Sequence, residues 1–327
     1  MKKVILGIAI SFIFNLGNSP FSLAVEFGQD ATGDPNAVKV GGASGFLYSE
    51  RIILTVAHVI ESTGGISYWE RDGFIYRPGV ANVTGQQKYK VKKVLIPNTY
   101  SKPDYVKGIQ ATDDLAVIIL SEDIPLTKKT EIATKEQMTR FVNEGSKVEL
   151  VGYGITTGNQ RNQPWDQVIN RPPNKLISTL IAPEMVLKFY KEYSNGLPSG
   201  YKIQDGNYGI VQHREKGESH LCDGDSGSAF FVEENNVRYV LGMTGQGVIN
   251  NNCPPPVTWY GAPSMSWVNP SFKLLDLVKS AEKIVADDKA VLSPKPTKMV
   301  TITCIKGRVS KKVIGVNPKC PKGYKTR

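Results

Sequence analysis

The sequence predicts an all-β fold. Three observations carry that reading. Short runs rich in β-branched and aromatic residues recur along the chain, glycine and polar turn signals part them, and helical periodicity is confined to one late segment. The pattern fits β-barrels or a sandwich and lacks the strand–helix alternation of a parallel sheet. In order, residues 44–48 and 51–55 read as a hairpin turning at Ser49-Glu50, and Val56-Ala57-His58 follows directly. Residues 89–96 alternate as a strand. Asp113-Asp114 then leads into the apolar run 115–120, read as a buried strand. Residues 147–154 read as a strand ending in glycines, Gly152 and Gly154. After the turn 222–229 come strands at 229–232 and 237–244. The helix opens at Asn269-Pro270, a capping residue plus first-turn proline. Phe272, Leu275, Val278, Ala281 and Val285 share its apolar face.

The chain has 327 residues, 40% of them hydrophobic, enough for a sizeable core. Met1-Lys2-Lys3, the apolar run 4–16 and Ser22-Leu23-Ala24 have the anatomy of a secretory signal peptide. Asn15, Asn18 and Pro20 interrupt that run before the roughly 20 apolar residues a membrane span needs. The mature protein is therefore expected to be secreted, cut after Ala24, and monomeric. Four cysteines in an exported chain read as two disulfides, and proximity favours Cys222–Cys253 and Cys304–Cys320 among the three possible pairings. With three histidines and no Cys-x-x-Cys pair, neither a metal site nor a cofactor is expected.

The formal net charge of +10 is concentrated at one end. From Lys298 onward stand nine basic residues and no acid, which leaves the body close to neutral. That distribution argues against a specific nucleic-acid-binding protein. The resulting layout is a signal peptide over 1–24, a main domain over 25–286, a linker over 287–298 and a basic Cys-paired module over 299–327. The module's charge suits an anionic cell-surface polymer, a membrane surface or DNA, or serves only as a solvated tail.

The chemistry concentrates in Cys222-Asp223-Gly224-Asp225-Ser226-Gly227-Ser228-Ala229. A serine hydroxyl needs a base and an anion pocket to act as a nucleophile. Glycines on both sides let the backbone turn tightly and aim the amides of Gly224 and Ser226 at one point.

Candidate residues then fall in the order His58, Asp114, Ser226, and here the chain resembles the trypsin-like (chymotrypsin-fold) serine proteases. Thr55-Val56-Ala57-His58 is similar to their Thr-Ala-Ala-His, and Asp114-Leu115-Ala116-Val117 to Asp-Ile-Ala-Leu. Gly224-Asp225-Ser226-Gly227-Ser228 is similar to Gly-Asp-Ser-Gly-Gly, and Val151-Gly152-Tyr153-Gly154 to the family's Gly-Trp-Gly strand end. The resemblance runs from about Val25 to Lys283. It implies two antiparallel β-barrels, split near residue 140, with a C-terminal helix and the small disulfide-closed tail beyond. It further implies a secreted serine endopeptidase working on protein or peptide substrates through an acyl-enzyme. In that scheme His58 is the base, Asp114 its orienting acid (Asp113 being the rival), Ser226 the nucleophile, and the Gly224 and Ser226 amides the oxyanion hole.

The resemblance also implies that Cys222 closes a bridge beside the substrate pocket, with His220 at the pocket's base where enzymes cleaving after Lys or Arg carry aspartate. A preference for basic residues is therefore not expected. Gly247 would pair with the substrate backbone, and the amine of Val25, freed by the signal cut, would pair with Asp225. The chain departs from the family at Val59, where a cysteine is usual, and at Gly245-Gln246-Gly247 in place of Ser-Trp-Gly. The serine that supports the catalytic aspartate is also missing. A catalytically silent relative, binding through its basic tail, is the alternative these departures leave.

Overall fold

A sheet can bury its apolar face by closing on itself, and this chain does so twice. The structure, a computed structural model, describes residues 25, 28–102, 111–155, 170–193, 206–213, 219–249, 263–292 and 299–327. It forms two compact units, Met1–Val278 and Lys279–Arg327.

The first half holds β1 (Gln29–Asp30), β2 (Ala37–Val40), β3 (Ala43–Ser49), β4 (Ile52–Thr55), α1 (Ala57–Ser62), α2 (Gly65–Asp72), β5 (Phe74–Tyr76), β6 (Lys88–Leu95) and β7 (Ala116–Leu120). Six of these strands form a sheet in the order β2-β3-β4-β7-β6-β5. Its ends are drawn together where Gly79 N donates to Ala37 O at 2.8 Å. Every residue of β4 and β7 is buried, whereas β6 alternates buried and exposed positions, as its Lys-rich pattern requires.

The second half holds β8 (Lys129–Ile132), α3 (Lys135–Asn143), β9 (Lys147–Gly152), β10 (Asn174–Ile181), α4 (Pro183–Tyr193), β11 (Tyr208–His213), β12 (Ala229–Glu234), β13 (Val237–Ile249) and β14 (Pro263–Pro270). Antiparallel pairings run β9–β10–β11–β14–β13–β12 and return to β9, a second barrel around Leu150, Leu176, Phe230 and Leu241. One pair departs from the antiparallel rule: β8 lies parallel to β13, Val237 opposite Lys129. The barrels meet through a buried ion pair, Arg238 to Asp34 at 2.9 Å, and through Phe46 against Phe231 at 5.9 Å.

Four points correct the expectations. The chain changes barrels between β7 and β8, not near residue 140, because α3 packs Met138 and Phe141 into the second core. Helices are more numerous than the single late one. α3 carries a capping box, with Thr134 Oγ1 accepting from Gln137 N at 3.2 Å and Gln137 Oε1 from Thr134 N at 2.9 Å. The late helix is capped at Pro270, not Asn269, and opens as a 3₁₀ turn over Ser271–Leu274 before α5 (Leu275–Leu292). That helix also enters the stretch read as linker; residues 293–298 lie outside the described residues.

The C-terminal unit carries β15 (Val300–Lys306), β16 (Val309–Gly315) and β17 (Lys325–Thr326), sheet order β16-β15-β17. Cys304 and Cys320 are disulfide-bonded, and Cys304 is fully buried while most of its neighbours are exposed. A sheet this small has almost no core, so the bridge substitutes for one.

Candidate active site

His58 stands in the first turn of α1, which starts directly after β4 with Val56 extended at the cap position. Asp114 stands two residues before β7, which pairs with β4, Thr55 lying opposite Ala116. The two side chains are thus delivered from neighbouring strand ends. His58 Nδ1 and Asp114 Oδ2 are 2.6 Å apart, and His58 N donates to Asp114 Oδ1 at 2.9 Å. The acid is 2% exposed and the imidazole keeps one edge open, 21% of its side chain being accessible. The rival, Asp113, turns away at φ 44° and takes Lys273 Nζ at 3.0 Å.

Ser226 sits in a turn built by its flanking glycines, φ 94° at Gly224 and 84° at Gly227. Within it Asp225 N donates to Cys222 O at 3.1 Å, Ser228 N to Asp225 O at 3.0 Å and Gly227 N to Thr244 O at 2.9 Å. The amides of Gly224 and Ser226 donate to no acceptor among the described residues. Ser226 makes no hydrogen bond to His58. The two segments meet one residue further on, where a Cβ at Gly227 would stand 2.3 Å from both Ser44 O and Thr55 Oγ1.

Ser44 of β3 fastens the turn from the other barrel. Its N donates to Ser226 O at 3.0 Å and its Oγ to Gly224 O at 2.8 Å. The same Oγ accepts from Tyr153 N at 2.9 Å, while Ser44 O accepts from Thr55 Oγ1 at 2.9 Å.

Asp225 is wholly buried, its oxygens receiving Cys222 N and Gly154 N at 2.9 Å each. Gly152 and Gly154 are glycines because the carboxylate lies against them; a Cβ at Gly152 would come within 2.2 Å of Asp225 Oδ1. Burial pushes this carboxyl up to about 7, against the pull of the two amides and the nearby Arg171 and His220. Arg171 is itself buried, and that burial lowers its pKa while Asp225 opposes the shift.

Val25 is also fully buried, in the second-barrel core, with its carbonyl accepting from Gly28 N at 2.7 Å. In the uncut chain Val25 and Asp225 form no ion pair. Gly28 lies against Lys175, which pairs with Val151 beside the Gly152–Gly154 segment, so Val25's stretch is one strand away from Asp225's.

His220 is 1% exposed, close to the buried Asp225. Gly247 follows an irregularity in β13 and pairs with Ser266 of β14. Cys222 is disulfide-bonded; its expected partner Cys253 lies outside the described residues.

Sequence reading missed Ser44, Arg171 and Lys39. Lys39 is 5% exposed on β2, donates from Nζ to Arg171 O at 2.8 Å, and is pushed down to about 7 by burial and by Arg171. Only Lys39 had a local signal, a cation inside the otherwise apolar run Ala37-Val38-Lys39-Val40. Among the described residues no His/Cys/Asp/Glu cluster could hold a metal ion.

No curated protein sequence matches the chain. The family model described as Trypsin matches residues 15–267, most of the chain. Two barrels, a histidine and an acid at the strand ends of one, and a glycine-flanked serine turn of the other pinned against them agree with that match: the chain belongs to the trypsin family of serine proteases.

Proposed function

We propose that the chain is a secreted serine endopeptidase that cleaves polypeptides through an acyl-enzyme. The observation that carries the reading is the doubly bonded His58–Asp114 pair, 2.6 Å side chain to side chain and 2.9 Å from the histidine amide. Asp114 fixes the tautomer in which Nδ1 carries the proton, so Nε2 is left basic. His58 then takes the proton of Ser226 Oγ as that oxygen attacks the scissile carbonyl. The tetrahedral oxyanion draws on the amides of Gly224 and Ser226, each such donor worth about 3–4 kcal/mol of barrier. His58 returns the proton to the leaving amine. Water, activated by the same base, releases the acid and regenerates Ser226.

Specificity follows from His220: with no carboxylate at the base of the pocket, cleavage after Lys or Arg is weak. Gly247 lends its strand backbone to the extended substrate. Removal of residues 1–24 on export frees the amine of Val25, which pairs with buried Asp225 and orders the oxyanion turn. The lysine-rich C-terminal sheet holds the enzyme at an anionic cell-surface polymer.

A fluorophosphonate or sulfonyl fluoride, located by peptide mass mapping, tests the central claim. Label on Ser226 is expected. No label on folded protein that begins at Val25 would instead favour a silent, binding relative.

A further inference from the structure

The C-terminal sheet carries most of its exposed aliphatic side chains at one end and gathers cations at the other. In the register of β15 with β16, Val300 lies opposite Gly315 and Thr301 opposite Ile314 at the first end. Residues 299–302 and 313–317 contain no charged residue, and Met299, Val300, Ile314 and Val316 are 43–62% exposed there. The second end is closed by the turn Gly307-Arg308, with Lys306 opposite Val309. Lys311 stands opposite Cys304, and β17 brings Lys325 opposite Ile305. Lys322 joins them through Gly323, where a Cβ would lie 3.4 Å from Lys306 Nζ. These five cations are all exposed, and no acid occurs between residues 299 and 327. Val309, 58% exposed, is the aliphatic residue of this tip.

Such a cluster works against the sheet that carries it. Neighbouring strands lie about 4.8 Å apart, so the five charges crowd into a patch about 10 Å wide, and like charges so placed repel. The sheet has almost no core to offset this and is tied by Cys304–Cys320. Nothing within the unit neutralises the tip; an anionic partner would.

The placement of the cations selects among anions. Residues opposite one another on neighbouring strands share a face, and successive residues alternate. Lys306 and Lys311 therefore share the face of Cys304, and Lys325 lies on the other. Charge on both faces suits a flexible chain that wraps the tip. A sheet lying flat on a bilayer would turn Lys325 or the Lys306–Lys311 pair away from it. A sheet standing on its tip would hold Thr301 and Ile314 five residues back, about 17 Å away, whereas interfacial anchors bury their apolar groups only about 5–10 Å deep. Four of the five cations are lysines, which meet phosphate as point charges; bidentate pairing with carboxylates calls on arginine.

We propose that this hairpin tip binds a linear phosphodiester-linked polyol polymer of the cell surface through Lys306, Arg308, Lys311, Lys322 and Lys325. The assignment rests on the reading of the basic sheet as a cell-surface anchor and is independent of the peptidase chemistry. It names the end of the sheet that makes the contact and the anion that it takes.

The full chain, carrying Ser226→Ala, is titrated with poly(glycerol phosphate), polygalacturonate, double-stranded DNA and two-to-one phosphatidylcholine–phosphatidylglycerol vesicles. Poly(glycerol phosphate) should bind tightest. Contact with about five phosphates of a flexible strand should cost about 100-fold in affinity between about 50 and 200 mM salt. Combining Arg308→Gln, Lys311→Gln and Lys325→Gln should shrink that salt effect to about sevenfold. Combining Lys90→Gln, Lys93→Gln and Lys135→Gln removes the same charge from exposed positions on the barrels and should leave it unchanged. Ile314→Thr with Val316→Thr should leave it unchanged too. Equal losses in the two triple variants overturn the tip and leave an anchor that acts through net charge alone. Tighter binding of DNA or polygalacturonate overturns the choice of polymer. Vesicle binding that exceeds polymer binding and is weakened by the Ile314 and Val316 changes makes a bilayer the partner instead. If none of the four probes binds at about 50 mM salt, the anchor reading fails together with the tip, while labelling of Ser226 in the unsubstituted chain still reports on the peptidase.

Discussion

In the uncut chain, Asp225 should make the protein less stable as pH rises from 4 to 8. Its carboxyl is lifted from 3.8 to about 7 by burial. That gap of about 3 pH units, at about 1.4 kcal/mol per unit, places about 4 kcal/mol against the fold once the group is ionised. The sign follows from proton binding. Below 3.8 both states hold the proton and the full stability is present. Between 3.8 and about 7 the unfolded chain gives up a proton that the folded chain retains, so stability falls to a lower plateau.

Asp225→Asn removes the titration at nearly constant volume. Its amide nitrogen must face one of the two donors, Cys222 N or Gly154 N, at a pH-independent cost of about 1–3 kcal/mol. The variant should therefore be the less stable protein near pH 4 and the more stable one near pH 8. Urea unfolding of the uncut chain, both forms carrying Ser226→Ala to prevent self-digestion, gives the difference free of other titrations. A difference that stays constant from pH 4 to 8 would refute the burial argument. In protein beginning at Val25 the proposed amine offsets the charge. Asp225→Asn there should instead cost about 3–5 kcal/mol and abolish activity, because it strands a buried ammonium.

Three further outcomes are expected. Asp114→Asn should lower kcat about 10⁴-fold by mis-setting the His58 tautomer, whereas Asp113→Asn, whose partner is Lys273, should leave peptide hydrolysis within a few-fold; stopped assays on purified variants decide which acid matters. Gly227→Ala forces a Cβ to within 2.3 Å of Ser44 O at φ 84°, and should destabilise by about 2–4 kcal/mol in denaturant melts while removing Ser226 labelling; a loss under about 0.5 kcal/mol would contradict the close approach. Lys39→Met should stabilise at pH 7 and lose that advantage by pH 10. The wild-type lysine is held near 7 rather than 10.5, so across that window the native chain has given up a proton that the unfolded chain still holds and the wild type gains stability as pH rises; parallel melts across that window would count against it.

The sequence was most informative where the candidate site is local. His58, Asp114 and Ser226 each lie in a motif of four or five residues, and the strands beside them announce themselves by unbroken apolar runs such as residues 116–120. Contacts made across the chain left no such trace. Ser44 acts on Gly224, 180 residues away, and Lys39 on Arg171, 132 residues away; neither partner is encoded near the other. α2 escaped notice because Trp69 is its one buried residue, too little to set a helical period. The capping box at Thr134 and Gln137, which marks α3 as a helix, went unread. The boundary near residue 140 failed because β8 joins the second barrel in parallel, a pairing that no strand pattern distinguishes.

Ser44 also makes the order of synthesis matter. Its amide and hydroxyl hold the backbone of a turn that is translated 180 residues later. A nascent or broken chain that contains only one barrel therefore has either an anchor with nothing to hold or a nucleophile segment with nothing to hold it. In the secreted protease proposed above, activity would therefore wait until both halves had been made and docked, a restraint written into the hydrogen bonds themselves.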